Sequence, residues 1–130
     1  MIYLDSSALV TLIAERTYAA ELRHFLGLRP HRPQGTSTVG FVETVRALDR
    51  IGDFPSAMRT LTTEYTEVEV TARVRDRAAR LPARVRTLDA IHIASAQVLG
   101  PALDCLVTYD KRLLEVARSV GLPAEAPGLA

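Results

Sequence analysis

The sequence predicts an α/β fold, with a mainly parallel sheet covered by helices on both faces. Three observations carry that expectation. Short apolar runs such as Ile2-Tyr3-Leu4 and Cys105-Leu106-Val107 lack the polar alternation of half-exposed strands, which marks strands buried on both sides. Along the chain these runs alternate with segments of helical period, the pattern of βαβ units. The 130 residues, 48% of them hydrophobic, suit a single domain, 1–130, built around one core.

Residues 1 to 5 read as the first buried strand, and Ser6 or Ser7 can cap a helix running to about Ala14. "TYAAELRHFLG", 17–27, is a second helix stopped by Gly27. "LRPHRPQG", with two prolines and a glycine, is a loop. A short extended piece follows. It leads to a helix capped near Thr38 whose apolar positions Phe41, Val42, Val45 and Leu48 keep helical spacing. Another short helix covers about 54–62. "TEVEV", 66–70, alternates and predicts a strand with Val68 and Val70 inward and Glu67 and Glu69 outward. "TARVRDRAARL" is a helix with Val74, Ala78 and Leu81 inside. "RTLDAIHIASAQVLG" is the most apolar helix, entered at Thr87 and closed by Gly100. "DCLVTYD" is a β-branched strand, and "KRLLEVARSVG" a helix with Leu113, Val116, Ala117 and Val120 on one face. "LPAEAPG" holds a last short edge strand.

The formal charge of +1, from 16 basic and 15 acidic residues, gives no bulk argument for a polyanionic partner. A single cysteine, Cys105, forms neither an intrachain disulfide nor a cysteine zinc site and reads as a buried thiol. No apolar run reaches the length of a membrane span, and the start lacks the pattern of a signal peptide. The expectation is a cytoplasmic protein with no membrane partner.

Four acids stand out by position. Asp5 ends the first strand, and Asp110 follows "LVTY" closely, both at carboxyl ends of strands, where α/β sheets bind ligands. Glu43 lies among apolar neighbours in "GFVETV", and Asp89 in the first turn of "TLDAIHIA". The other acids have ordinary places: Glu67 and Glu69 on the polar side of a strand, Asp76 and Glu115 on polar helix faces, Asp49, Asp53, Glu64 and Asp104 in or beside turns. Each of the four has a plain structural explanation too: Asp5 and Asp110 as helix caps, Asp89 as a partner of the helix dipole, and Glu43 as a side chain that snorkels to the surface. If they converge, however, two unit charges about 4 Å apart repel by roughly 4 kcal/mol at an effective dielectric near 20. Such a cluster needs a cation or shared protons. Oxygen donors without a His or Cys cluster favour Mg²⁺ or Mn²⁺ over zinc. Carboxylate-held Mg²⁺ activates water and offsets phosphoryl charge, so the residues point to metal-dependent phosphodiester hydrolysis.

"YLDSSALV", the Glu of "FVETVRAL", "TLDAIHIASA" and "LVTYDKRLLEVARSVGL" come in the order of a PIN domain, and residues 1 to 125 resemble a VapC-type toxin ribonuclease. The resemblance implies a three-layer α/β/α sandwich with Asp5, Glu43, Asp89 and Asp110 gathered at the carboxyl ends of the strands. There they bind Mg²⁺ or Mn²⁺ and support hydrolysis of RNA. Ser7 and Thr108 match small hydroxyl positions that support these acids. A homodimer and a VapB-type antitoxin partner are implied in the same way. Gly40, in "STVGFVET", departs from the larger apolar residues common there. His92 matches a frequent family histidine but reads as a packed core residue, outside the catalytic set.

In "RVRDRAARLPARVR" the run Arg73 to Arg80 reads as a solvated helix face. Arg84 and Arg86, with Lys111 and Arg112 beside Asp110, are the candidates for RNA phosphate contacts. Aromatic residues amount to 5% with no Trp, so no stacking platform for bases is apparent. Tyr18, Leu22 and Phe25 on the early helices are candidates for a homodimer or antitoxin contact. The rival reading is a catalytically weak PIN-like scaffold that binds RNA or protein. An adhesion-type metal site is disfavoured because Leu9 stands where Asp-x-Ser-x-Ser requires its second Ser.

Overall fold

A computed structural model describes residues 1–50, 52 and 54–129; Asp53, read above as a turn acid, lies outside them. The elements are β1 (Ile2–Leu4), α1 (Ser6–Ile13), α2 (Ala19–Gly27), β2 (Gln34–Ser37), α3 (Thr38–Asp49), α4 (Phe54–Glu64), β3 (Thr66–Val68), α5 (Ala72–Ala79), α6 (Thr87–Gln97), β4 (Cys105–Val107), α7 (Lys111–Ser119) and β5 (Ala124–Glu125), with a 3-10 turn at Gly100–Ala102. The sheet order is β3-β2-β1-β4-β5 and every pairing is parallel, where the sequence suggested only mainly parallel. The chain builds outward from β1 to β2 and β3, then returns to β4 on the other side. β1 and β4 are therefore neighbours at the point where the winding reverses, and the crevice beyond their carboxyl ends is the natural ligand site of such a sheet.

The pleat sorts the core. Ile2, Leu4, Cys105 and Val107 point to one face, where they pack with Leu9, Leu22, Val45 and Leu61 of α1 to α4. Tyr3 and Leu106, one residue out of phase, point to the other, where they meet Ile93 of α6 and Leu113 and Ala117 of α7. The result is a three-layer α/β/α sandwich. Among the described residues no helix is long and apolar enough to cross a membrane.

Several local expectations change. Neither Ser6 nor Ser7 caps α1: Asp5 does, accepting the Ala8 N–H. The strand at 66 ends at Val68, and Val70 is exposed, because the edge strand turns early toward the Thr71 cap of α5. On α5 only Val74 is fully buried; Ala78 is half-buried, and Leu81 lies beyond the helix end. Tyr18, Leu22 and Phe25 are satisfied within the chain. Leu22 is buried, Phe25 packs against the first core cluster, and Tyr18 stacks on Tyr109 with ring centroids 5.5 Å apart.

Gly40 also finds its reason. It sits inside α3 where a Cβ would lie 2.0 Å from the Thr36 hydroxyl oxygen and 3.2 Å from His92 Cε1. Thr36 is buried and β-branched, so it cannot swing aside freely. Gly27, by contrast, has open space around it. Gly40→Ala is expected to cost about 1–3 kcal/mol through overpacking, although Ala is the better helix former. Gly27→Ala should be neutral or stabilise by up to about 1 kcal/mol. Urea unfolding of both variants checks the contrast.

Candidate active site

Asp5 is carried by the turn from β1 into α1 and is only 3% exposed. Its Oδ1 accepts from Ser7 Oγ (2.7 Å) and from the Ala8 N–H (2.9 Å), and its Oδ2 accepts from Thr108 Oγ1 (2.6 Å). The two hydroxyls are fully used. Ser7 Oγ accepts from the Tyr109 N–H at 2.9 Å, and Thr108 Oγ1 from the Asp110 N–H at 3.0 Å. With both hydroxyl protons on Asp5, their mutual 3.3 Å approach is a contact between filled positions. Burial pushes the Asp5 carboxyl above its usual range, and the Thr108, Ser7 and Ala8 donors pull the other way. Ser7 and Thr108 thus hold Asp5 by hydrogen bonds, and they also lace the end of β1 to the end of β4.

Asp110 caps α7, with Oδ1 accepting from the Arg112 and Leu113 N–H groups at 2.9 and 3.2 Å. Its Oδ2 accepts from Arg86 Nη2 at 3.1 Å. The Nε–H of the same guanidinium donates to Asp89 Oδ2 at 2.8 Å. Asp89 is 8% exposed, in the first turn of α6. Arg86, a candidate phosphate contact in the sequence, therefore lies as a counter-charge between two of the acids. Asp5 and Asp110 are joined through Thr108, and Asp110 and Asp89 through Arg86.

Glu43 takes a different partner. Its Oε1 is 2.7 Å from His92 Nε2, and His92 Nδ1 is 2.7 Å from the Tyr3 hydroxyl. His92, set aside in the sequence as a core residue, is indeed buried, yet it ends on one of the four acids. Its place one turn after Asp89 and its match to a frequent family histidine were the sequence signals; nothing linked it to Tyr3, 89 positions away. Among the described residues no three His, Cys, Asp or Glu side chains stand close enough together to hold an ion. The donor chemistry fits a hard divalent cation nonetheless. All four acids offer oxygen, and positive charge already stands between Asp89 and Asp110.

The remaining basic candidates are exposed. Arg84 and Arg112 line one surface hollow of about 340 Å³, and Lys111 opens α7. Beside Glu43 a larger cavity, about 580 Å³, is lined by Ser6, Thr38, Val42, Arg46 and Leu88. Val42 and Leu88 are 49% and 48% exposed there.

Comparison with known proteins agrees with the fold. The PIN domain family model matches residues 2–119. Ribonuclease VapC46 of Mycobacterium tuberculosis is 40% identical over 128 residues, covering 97% of each chain. Ribonuclease VapC35 of the same species is 38% identical over 134 residues, covering 100% of this chain and 99% of that one. The crystal structure of M. tuberculosis VapC20, a sarcin-ricin loop cleaving toxin, superposes with a TM-score of 0.73 at 20% identity over 98% of this chain and all of that one. A toxin–antitoxin complex from Klebsiella pneumoniae gives a TM-score of 0.69 at 19% identity, covering 83% of this chain and 85% of that one. A five-stranded parallel sheet with acids at the carboxyl ends of its two central strands, matched over nearly its whole length, identifies the chain as a member of the PIN-domain family.

Proposed function

We propose that this protein is a VapC-type ribonuclease, a toxin that hydrolyses RNA phosphodiester bonds and is held in check by a VapB-type antitoxin. The observation that supports this reading most is the Asp5 knot at the β1/β4 switch point. A buried carboxylate that needs three donors to hold it adds a desolvation cost to the fold, and it makes sense where an anion is needed. Asp5, Asp89, Glu43 and Asp110 are the residues proposed to hold Mg²⁺ or Mn²⁺. When bound, such an ion lowers the pKa of a coordinated water and offsets charge on the phosphate. Ser7 and Thr108 keep the Asp5 carboxylate oriented. The acids align the attacking water and receive its proton. Arg86, paired with Asp89 and Asp110, supplies counter-charge to two of the acids that would hold the ion. Arg84, Lys111 and Arg112 guide the phosphate backbone toward the acids.

The cavity beside Glu43, with its exposed Val42 and Leu88, suits the antitoxin, because it joins apolar surface to the edge of the acid site. Homodimerisation is part of the same proposal. With Tyr18, Leu22 and Phe25 engaged internally, the exposed Leu28 at the end of α2 is the apolar surface left on that side.

The deciding experiment incubates end-labelled RNA with the protein in Mg²⁺, Mn²⁺ or chelator. Cleavage confined to the metal-containing reactions supports the proposal, and intact RNA in all three favours the inactive scaffold. Mapping RNA 5′ ends in cells after brief induction then names the target.

Three outcomes are expected of variants. Asp89→Asn should lower cleavage by about two orders of magnitude or more. Its melting temperature in chelator should hold level, while Mn²⁺ should stabilise it less than the parent. Arg86→Ala should do the reverse in melting experiments. Without the guanidinium the two acids lose their counter-charge, so the variant should melt lower in chelator and gain more from Mn²⁺. The double variant Arg84→Ala/Arg112→Ala should keep kcat, raise KM, and reduce the slope of log binding against log salt by about 1 to 2, as measured by RNA titration across salt concentrations.

A further inference from the structure

A buried chain of polar groups runs from β1 to Glu43. The Ser37 N–H reaches the Tyr3 hydroxyl at 3.3 Å, that hydroxyl meets His92 Nδ1 at 2.7 Å, and His92 Nε2 meets Glu43 Oε1 at 2.7 Å. The Ser37 N–H donates to the Tyr3 oxygen; with the Tyr3 proton assigned to the His92 contact, Nδ1 is the acceptor. The ring proton is thereby left on Nε2, where it donates to the Glu43 carboxylate. Burial pushes the Tyr3 hydroxyl far above its ordinary range, which keeps it a donor. Tyr3 and His92 also meet edge to face, with centroids 5.8 Å apart, so the ring cannot tilt without losing both contacts. Glu43 itself is less constrained: its side chain is 30% exposed on the second turn of α3.

We propose that His92, oriented by Tyr3, is a positioning residue that holds Glu43 in place for the divalent cation. The proposal rests on the reading of Glu43 as a metal ligand given above. A histidine and a carboxylate that orient a ligand from behind are the usual way such ligands are kept in one rotamer. The sequence departure at Gly40 belongs to the same device, since a Cβ there would press on both Thr36 and the His92 ring.

The test uses two amides of different reach. In His92→Asn the side chain ends near the Nδ1 position, so it can keep Tyr3 but falls short of Glu43. In His92→Gln the terminal N–H extends toward Glu43. Mn²⁺ affinity of the full-length chain is measured calorimetrically for the parent, His92→Asn, His92→Gln, Glu43→Gln and the double variant Glu43→Gln/His92→Asn, with melting in chelator to establish that each is folded. Expected are a loss of about 10- to 100-fold in affinity for His92→Asn, substantial recovery in His92→Gln, and no further loss when His92→Asn is added to Glu43→Gln. Parent-like affinity in folded His92→Asn, or an equal additional loss in the Glu43→Gln background, overturns the proposal while leaving Glu43 a ligand. Parent-like affinity in Glu43→Gln overturns the ligand reading itself. If His92→Asn does not fold, Tyr3→Phe takes its place in the cycle, with a smaller loss expected and the same requirement that the loss vanish in the Glu43→Gln background.

Discussion

The structure depends on one carboxylate placed where the protein is dry. Asp5 stands at the end of the central strand, and removing an ion from water carries an effective penalty of several kcal/mol even after relaxation. Three donors converge on it, two hydroxyls and a backbone N–H. Hydrogen bonds to a charged group are worth about 1.5–3 kcal/mol each, so together they come close to offsetting that penalty without securing a comfortable surplus. The raised carboxyl pKa expresses the same balance. A divalent cation beside it would favour the ionised form.

Satisfying Asp5 also organises the switch point. Each hydroxyl that donates to it accepts an N–H from the chain leaving β4, at Tyr109 and Asp110. The link between β1 and β4 therefore continues past their ladder into the loops that carry the acids. Asp5 and Asp110 begin helices as caps just beyond the ends of the paired strands β1 and β4. Capping and ligation need not compete, because a carboxylate offers about four acceptor positions and the helix ends use only some of them. The positive ends of α1 and α7, and of α6 near Asp89, favour negative charge there as well. Arg86 completes this arrangement by supplying charge of the opposite sign between Asp89 and Asp110.

The far layer contributes through a single strand position. Tyr3 points away from Ile2 and Leu4, into the core that holds α6, and there its hydroxyl meets His92. Because α6 also carries Asp89, and His92 reaches across to Glu43 on α3, one helix aligns an acid of its own and one from a neighbour. The fold brings the layers together at the strand ends, and the polar contacts there are few and specific.

Much of this was legible before any coordinates. The apolar runs at 2–4 and 105–107, the helical spacing of 113 to 120, and the acids following the strands gave the fold class and the four carboxylates, because burial on both faces and strand-end placement leave periodic marks in a chain. Local polar chemistry was harder to read. Ser6, Ser7 and Asp5 are all good caps, and only the path of the chain decided for Asp5. Val70 follows the alternation of its neighbours, yet an edge strand with nothing beyond it ends as soon as the next helix needs its cap. The sequence by itself determined which residues are chemically able to form the site and at which ends of which elements they stand. The tertiary structure alone decided what touches what: Arg86 on two acids, Thr108 on Asp5, and Tyr3 through His92 on Glu43. Those contacts join residues up to 103 positions apart, and a hydrogen bond at such separation is fixed by packing of whole elements, which no local pattern records.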